Sequence, residues 1–231
     1  MDGKKILFGA AYYPEYMPYE RLDEDMAMMK AAGMNVVRIA ESTWSTLEPK
    51  EGVFDFSFID RVCDKAEQEG VSVIIGTPTY AVPAWLVKKE PEIMVLTKAG
   101  RAPYGHRQLM DFMHPAFRFH AERVIRRLAE HTAGKKAVIG FQIDNETKYY
   151  DNMSEQVQEL FVEYLKERFG STERLNKAFG LAYWSNSIAD WEAFPSMRGC
   201  VHAGLSGEFD AFRRHLAADY LKWQADIIQE Y

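Results

Sequence analysis

Ala137-Val138-Ile139-Gly140-Phe141 is wholly apolar, and it breaks at once into Gln142-Ile143-Asp144-Asn145-Glu146. A run without polar alternation is the pattern of a strand covered on both faces, as in parallel sheets. Its polar end admits two readings. Asp144-Asn145 suits a turn or a helix cap, because both side chains bond nearby backbone. Alternatively, Glu146 projects from a strand end, where it can serve as proton donor or nucleophile beside the amide of Asn145. Three earlier segments end in the same manner, which favours the second reading.

Those segments lie upstream. Ile6 to Tyr12 reads as a buried strand, Asn35 to Ala40 as a second and Val71 to Gly76 as a third, with Ala137 to Ile143 as the fourth. Leu22, Met26, Met29 and Ala32 form a helical face that ends at Gly33. Phe58, Ile59, Val62 and Ala66 form another that stops at Gly70. A short helix is expected at Pro83–Val87, and a longer one on Phe117, Ala121, Val124, Ile125 and Leu128. After the fourth strand the pattern turns helical. Val157, Leu160, Phe161, Tyr164, Leu165 and Phe169 form a stripe, and Leu175, Ala178 and Phe179 a short helix. An aromatic-spotted connection follows through Trp184 and Trp191. A last helix runs over Phe209, Phe212, Leu216, Tyr220, Trp223 and Ile227, and no fifth strand is expected.

Strand–helix alternation predicts parallel strands joined by right-handed crossovers. The returns from helix to strand are brief, as at Glu69-Gly70, whereas Thr77 to His114 is a long loop. Long loops gathered at strand C-termini are the plan of an α/β chain of the TIM (β/α)8 barrel type. Eight strands need roughly 250 residues. Here 231 residues supply about four βα units and a helical insertion. Residues 1–231 are therefore expected to be the N-terminal portion of a barrel domain, incomplete, with two unpaired sheet edges.

A net charge of −6 argues against nucleic acid as a partner. No run reaches the roughly 18 apolar residues of a membrane span, and no signal peptide is recognisable, so a soluble, cytoplasmic protein is expected. Cys63 and Cys200, the only cysteines, suit a reducing compartment and offer no zinc cluster. No phosphate loop, serine nucleophile elbow or metal-spaced histidine pair is found, and no cofactor is expected.

Cleavage of a sugar bond needs two carboxyl groups, one to protonate the leaving oxygen and one to attack or to activate water. The donor must hold its proton before reaction, which burial or a neighbouring carboxylate favours. Glu146, at the end of an apolar strand, is expected to be so placed. Arg38 sits inside an otherwise apolar strand, where a charge is costly unless paired; Glu41 is a candidate partner. That pair could be purely structural, and Arg107 could be an ordinary surface arginine. Tyr12, Tyr13, Trp44, Tyr80, Trp85 and Trp184 lie at strand ends or in loops. Together they suit the apolar faces of a pyranose.

With these residues in view, the chain resembles glycoside hydrolase family 42, the β-galactosidases among the clan A barrels. The pieces that carry the resemblance are Gly9-Ala10-Ala11-Tyr12-Tyr13-Pro14-Glu15, Val37-Arg38-Ile39-Ala40-Glu41 with Trp44, and Leu47-Glu48-Pro49 with Phe54-Asp55-Phe56. Gly76-Thr77-Pro78-Thr79, Pro83-Ala84-Trp85-Leu86, Gly105-His106-Arg107-Gln108 and Gly140 to Glu146 complete the set. The resemblance extends through Arg168-Phe169-Gly170, Leu175-Asn176 and Tyr183-Trp184-Ser185. It implies a retaining mechanism on terminal β-D-galactosides with Glu146 as acid/base. Arg38, Arg107, Asn145 and Trp184 would line the galactose subsite. The second glutamate, the nucleophile, would lie on strand seven, beyond Tyr231, and this chain alone would be inactive. A homotrimer is implied for the full-length protein. Two departures stand out. Thr147-Lys148 replaces the Tyr-Gly that follows the acid/base in many members. Tyr149, Tyr150, Asp151 and Met153 occupy the stretch where some members hold a zinc on cysteines, so no such zinc is expected. Another clan A glycosidase (a family 35-like β-galactosidase or a β-glucosidase) and a non-catalytic sugar-binding module are the alternatives.

Overall fold

The computed structural model of the chain describes residues 6–105, 107 and 109–231; His106 and Gln108 of the quoted motifs lie outside the described residues. In chain order the elements are β1 (Gly9–Ala11), α1 (Arg21–Ala31), β2 (Val36–Ile39), α2 (Trp44–Leu47), α3 (Ser57–Glu69), β3 (Ser72–Gly76) and α4 (Ala84–Lys89). Then come β4 (Leu96–Thr97), β5 (Gly100–Arg101), α5 (Pro115–Thr132), β6 (Val138–Gln142), α6 (Glu155–Phe169), α7 (Thr172–Phe179) and α8 (Ala203–Ile228). One sheet has the order β1-β2-β3-β6, every neighbour parallel.

Local chemistry sets these boundaries. Ile59, Val62, Cys63 and Ala66 give α3 one buried face, and Gly70 ends it in left-handed backbone at φ 69°. Pro115 opens α5, where His114 Nδ1 accepts the Ala116 amide at 3.2 Å. Ser154 and Ser171 cap α6 and α7 by accepting from Val157 and Arg174. Phe161 of α6 packs 4.8 Å from Phe209 and 5.4 Å from Phe212 of α8, ring centre to ring centre. The helical insertion thus has its own aromatic layer. No helix among the described residues is long and apolar enough to cross a membrane.

Four expectations need correction. The first strand is short and exposed: Ile6, Leu7 and Phe8 precede it at 85%, 47% and 52% exposure, and Gly9–Ala11 are exposed too. It is an edge strand, bonded to β2 alone. β6 is half-buried along its length rather than covered on both faces, for the same reason at the other edge. Ala32 and Leu160 fall on exposed turns of their helices. A two-stranded ribbon, β4–β5, sits inside the long loop after β3. Its turn is made by Thr97, whose hydroxyl accepts the Ala99 amide at 3.2 Å and donates to Gly100 O at 3.1 Å.

Candidate active site

Arg38 stands in mid-β2 and reaches the C-terminal rim of the sheet. One terminal nitrogen meets Glu41 Oε2 at 2.5 Å and donates to the Tyr13 hydroxyl at 3.0 Å. The other donates to Gln142 Oε1 and, at 3.5 Å, to Asn145 Oδ1. The Tyr13 hydroxyl donates a hydrogen bond to Glu41 Oε2 at 3.2 Å, and Ser42 Oγ donates to Glu41 Oε1 at 3.2 Å. Gln142 Nε2 donates to Asn145 Oδ1 at 3.1 Å and to Asp144 O at 2.8 Å. The buried-pair expectation for Arg38 and Glu41 therefore holds. Glu41 is only 4% exposed, and Arg38, Tyr13 and Ser42 all donate to its carboxylate.

Glu41 reaches this place through backbone strain. Ala40 and Ser42 on either side have φ 74° and 64°, each costing roughly 1 kcal/mol or more. The turn is fastened by Thr43, whose hydroxyl donates to Ala40 O at 2.6 Å. It folds Glu41 across the end of β3, against Gly76. A Cβ at position 76 would stand 2.9 Å from that of Glu41.

Beyond β6, Asp144 is buried among hydroxyls. Thr79 donates to Oδ1 at 2.9 Å, Thr147 to Oδ2 at 2.5 Å, and the Asp144 amide donates to Thr77 Oγ1 at 2.7 Å. Burial pushes the pKa of its carboxyl up from the ordinary aspartate value, with the Thr147 and Thr79 hydrogen bonds opposing. Glu15, half-buried with one oxygen unpartnered, is also raised by burial, and the charge of Glu41 adds to the effect.

Glu146 follows at φ 47°. The Tyr80 hydroxyl donates to its Oε2 at 3.1 Å, and the Tyr150 hydroxyl to its carbonyl at 3.2 Å. Burial, then the hydrogen bond to Glu146, raises the Tyr80 phenol. The Arg107 guanidinium lies 5.3 Å from the Tyr80 ring centre. The expected burial of Glu146 is not seen: its side chain is exposed.

Of the residues singled out from sequence, Arg38, Asn145, Glu146 and, through Tyr80, Arg107 come together. Trp184 does not. It is 75% exposed, lies tilted with its ring centre 5.6 Å from that of Tyr183, and shares no hydrogen bond or ring contact with the others among the described residues. Gln142, Thr77, Thr79 and Gln224 were not anticipated as parts of the site. Gln142 is a polar side chain at the end of an apolar run, a signal open to reading, whereas threonines such as Thr77 and Thr79 are ordinary at strand ends. Gln224 lies in a helix whose stripe reads as apolar and carries no such signal.

The β-galactosidase profile of glycoside hydrolase family 42 matches residues 11–231. The chain belongs to family 42. A β-galactosidase of Thermus thermophilus is 40% identical over 183 residues, 78% of this chain and 28% of that protein. The β-galactosidase YesZ of Bacillus licheniformis is 32% identical across the whole chain, which covers 36% of it. The crystal structure of a β-galactosidase from the psychrophilic Marinomonas ef1 superposes with a TM-score of 0.90 at 30% identity. That superposition covers 97% of this chain and 35% of the other. The family 42 neighbours identify the parallel sheet as part of a (β/α)8 barrel. The chain spans about a third of the length of the relatives it matches.

Proposed function

We propose that the protein to which these residues belong hydrolyses terminal β-D-galactosides with retention, and that Glu146 is its acid/base. The observation that carries this reading is that Arg38 holds Asn145 while Tyr80 meets the next residue, Glu146, at the C-terminal ends of β2 and β6 in a family 42 chain. That rim is where barrel enzymes place their chemistry.

Each residue has a distinct task. Glu146 protonates the departing oxygen and later accepts a proton from water. Asn145 Oδ1 is held by Arg38 and Gln142 and its side chain also meets the Tyr80 hydroxyl, so the amide is oriented to offer an Nδ2 hydrogen to a sugar hydroxyl. The terminal nitrogens of Arg38 are engaged by Glu41, Tyr13, Gln142 and Asn145, so Arg38 serves the sugar chiefly by orienting Asn145. Arg107 and Tyr80 border the Glu146 side, and the exposed Trp184 offers an aromatic face to the sugar. The nucleophile is a second glutamate outside these 231 residues, about 5–5.5 Å from Glu146 in the complete site, as retention requires. The whole protein acts as a homotrimer on soluble galactosides in the cytoplasm.

Two assays test the proposal. The purified 231-residue chain should not turn over a chromogenic β-galactoside; turnover lost in Glu146→Gln would show that the chemistry is complete here. In the full-length protein, Glu146→Ala should slow a poor leaving group far more than an activated one. Equal slowing would end the acid assignment. A panel of β-glucosides and β-galactosides on the same protein separates family 42 specificity from its clan A neighbours.

A further inference from the structure

Between Asp144 and Asp151, four residues have left-handed backbone though none is glycine: Asp144, Glu146, Tyr150 and Asp151. Such a segment does not keep its shape by local preference and must be fixed by what surrounds it. The fixing point is Asp144, 5% exposed. Its amide is taken by Thr77 and its two carboxylate oxygens by Thr79 and Thr147. Thr79 is fully buried, and while donating to Asp144 it accepts from Gln224 Nε2 at 3.2 Å. Gln224 is itself fully buried, on α8. A relay of hydrogen bonds thus runs from α8, through the turn after β3, to the residue two before Glu146. Tyr80, next to Thr79 in that turn, is the residue whose hydroxyl meets the Glu146 carboxylate.

We propose that Asp144 is a positioning residue: its buried carboxylate, clamped by Thr79 and Thr147, sets the turn that brings the Glu146 carboxyl to the Tyr80 hydroxyl. This rests on the reading of Glu146 as acid/base, because that is what makes its aim matter. Asp144 itself meets no substrate. Asparagine should replace it. Asn tolerates left-handed backbone, its Oδ1 accepts from Thr79, and its amide hydrogens can donate to the Thr147 hydroxyl. Alanine can do none of these things.

The test is made on the 231-residue chain and needs no turnover. The glutamate side-chain carboxyls are labelled with carbon-13, and the Glu146 resonance is assigned by its loss in Glu146→Gln. In the parent background Tyr80→Phe should move that resonance. In Asp144→Ala the same Tyr80 change should leave it in place. Amides of residues 145–147 should then exchange at least about tenfold faster while those of β3 and α8 stay within about twofold. Asp144→Asn should restore both behaviours. The proposal is overturned if Tyr80→Phe moves the Glu146 resonance equally in the alanine background. It is also overturned if exchange quickens uniformly through the fold, since a mere anchor of stability would do that. Should Asp144→Ala fail to fold, Thr79→Val with Thr147→Val carries the same two expectations. The leaving-group assay on Glu146 is separate, so failure of the acid/base role would leave these measurements standing.

Discussion

Asp144 is a carboxyl group buried with hydroxyl partners and, among the described residues, no paired cation, and this gives it a pH signature. Its folded-state affinity for a proton is raised, chiefly by burial. The native state therefore holds that proton more tightly than the unfolded chain. Its contribution to stability is greatest below the ordinary aspartate range and is lost as pH rises through the raised value. Asp144→Asn has no charge to bury. The melting temperature of the variant should gain on the parent as pH goes from about 4 to 7; a constant gap would show that the carboxyl titrates normally. Gly76 offers a second residue-scale prediction. Gly76→Ala drives a methyl to 2.9 Å from the Glu41 Cβ, in a turn already strained, and should cost about 1–3 kcal/mol in denaturant melts. Gly140→Ala in β6 meets nothing within 4 Å and should cost little. Equal losses would mean that Glu41 is free to move aside. At this scale the sequence was readable where a residue broke its own pattern. Arg38 inside an apolar strand and Glu146 after one announced themselves. The hydroxyls of Thr77 and Thr79 did not, because threonine is as ordinary at a strand end as it is functional, and only tertiary placement tells which.

Among the elements, helices with strong punctuation were the most legible. Gly33, Gly70, Gly170 and Gly180 all take positive φ at or just after helix ends, as expected of the residue without a Cβ. The β4–β5 ribbon was invisible because two residues per strand leave no alternation to detect. Its existence depends on the Thr97 turn and on Val95, whose amide donates to Leu109 O at 2.8 Å. The α2–α5 junction shows how an element can be held by a buried charge. Glu48 is fully buried after α2. It accepts from Trp44 Nε1 at 2.9 Å and from the Gly52 amide at 2.7 Å, and pairs with Arg123 of α5. Arg123→Ala strips the only cation from that carboxylate among the described residues and should cost about 3–5 kcal/mol. Lys222→Ala removes an exposed pair with Asp226 on α8 and should stay within about 0.5 kcal/mol. Comparable losses in urea melts would contradict the assignment of Glu48 as a desolvated charge.

Taken whole, the molecule is a parallel sheet whose two edges behave differently from what a strand-by-strand reading suggests. An apolar run such as Ile6-Leu7-Phe8 or Val138 to Phe141 states that a strand is meant to be covered. It does not state by what. Here the helices cover the sheet from outside, and Val37, Ile39, Val73 and Ile75 of the central strands are buried. β1 and β6 keep one backbone edge each without a strand partner among the described residues. Such edges, flanked by exposed Ile6, Leu7 and Phe8, are templates for further strand pairing. The 231-residue chain on its own should therefore self-associate as concentration rises, visible as a mass increase in light scattering. Phe8→Lys places a charge beside the open edge of β1, at a side chain already 52% exposed, so it should lower association while leaving the melting temperature nearly unchanged. Lys136→Glu, at an exposed position before β6, alters charge without touching an apolar edge residue and serves as the comparison. If both substitutions change association equally, net charge governs it. If neither does, the edges are not the sticky surface, and the apolar residues ahead of β1 must be covered in solution by another part of this chain.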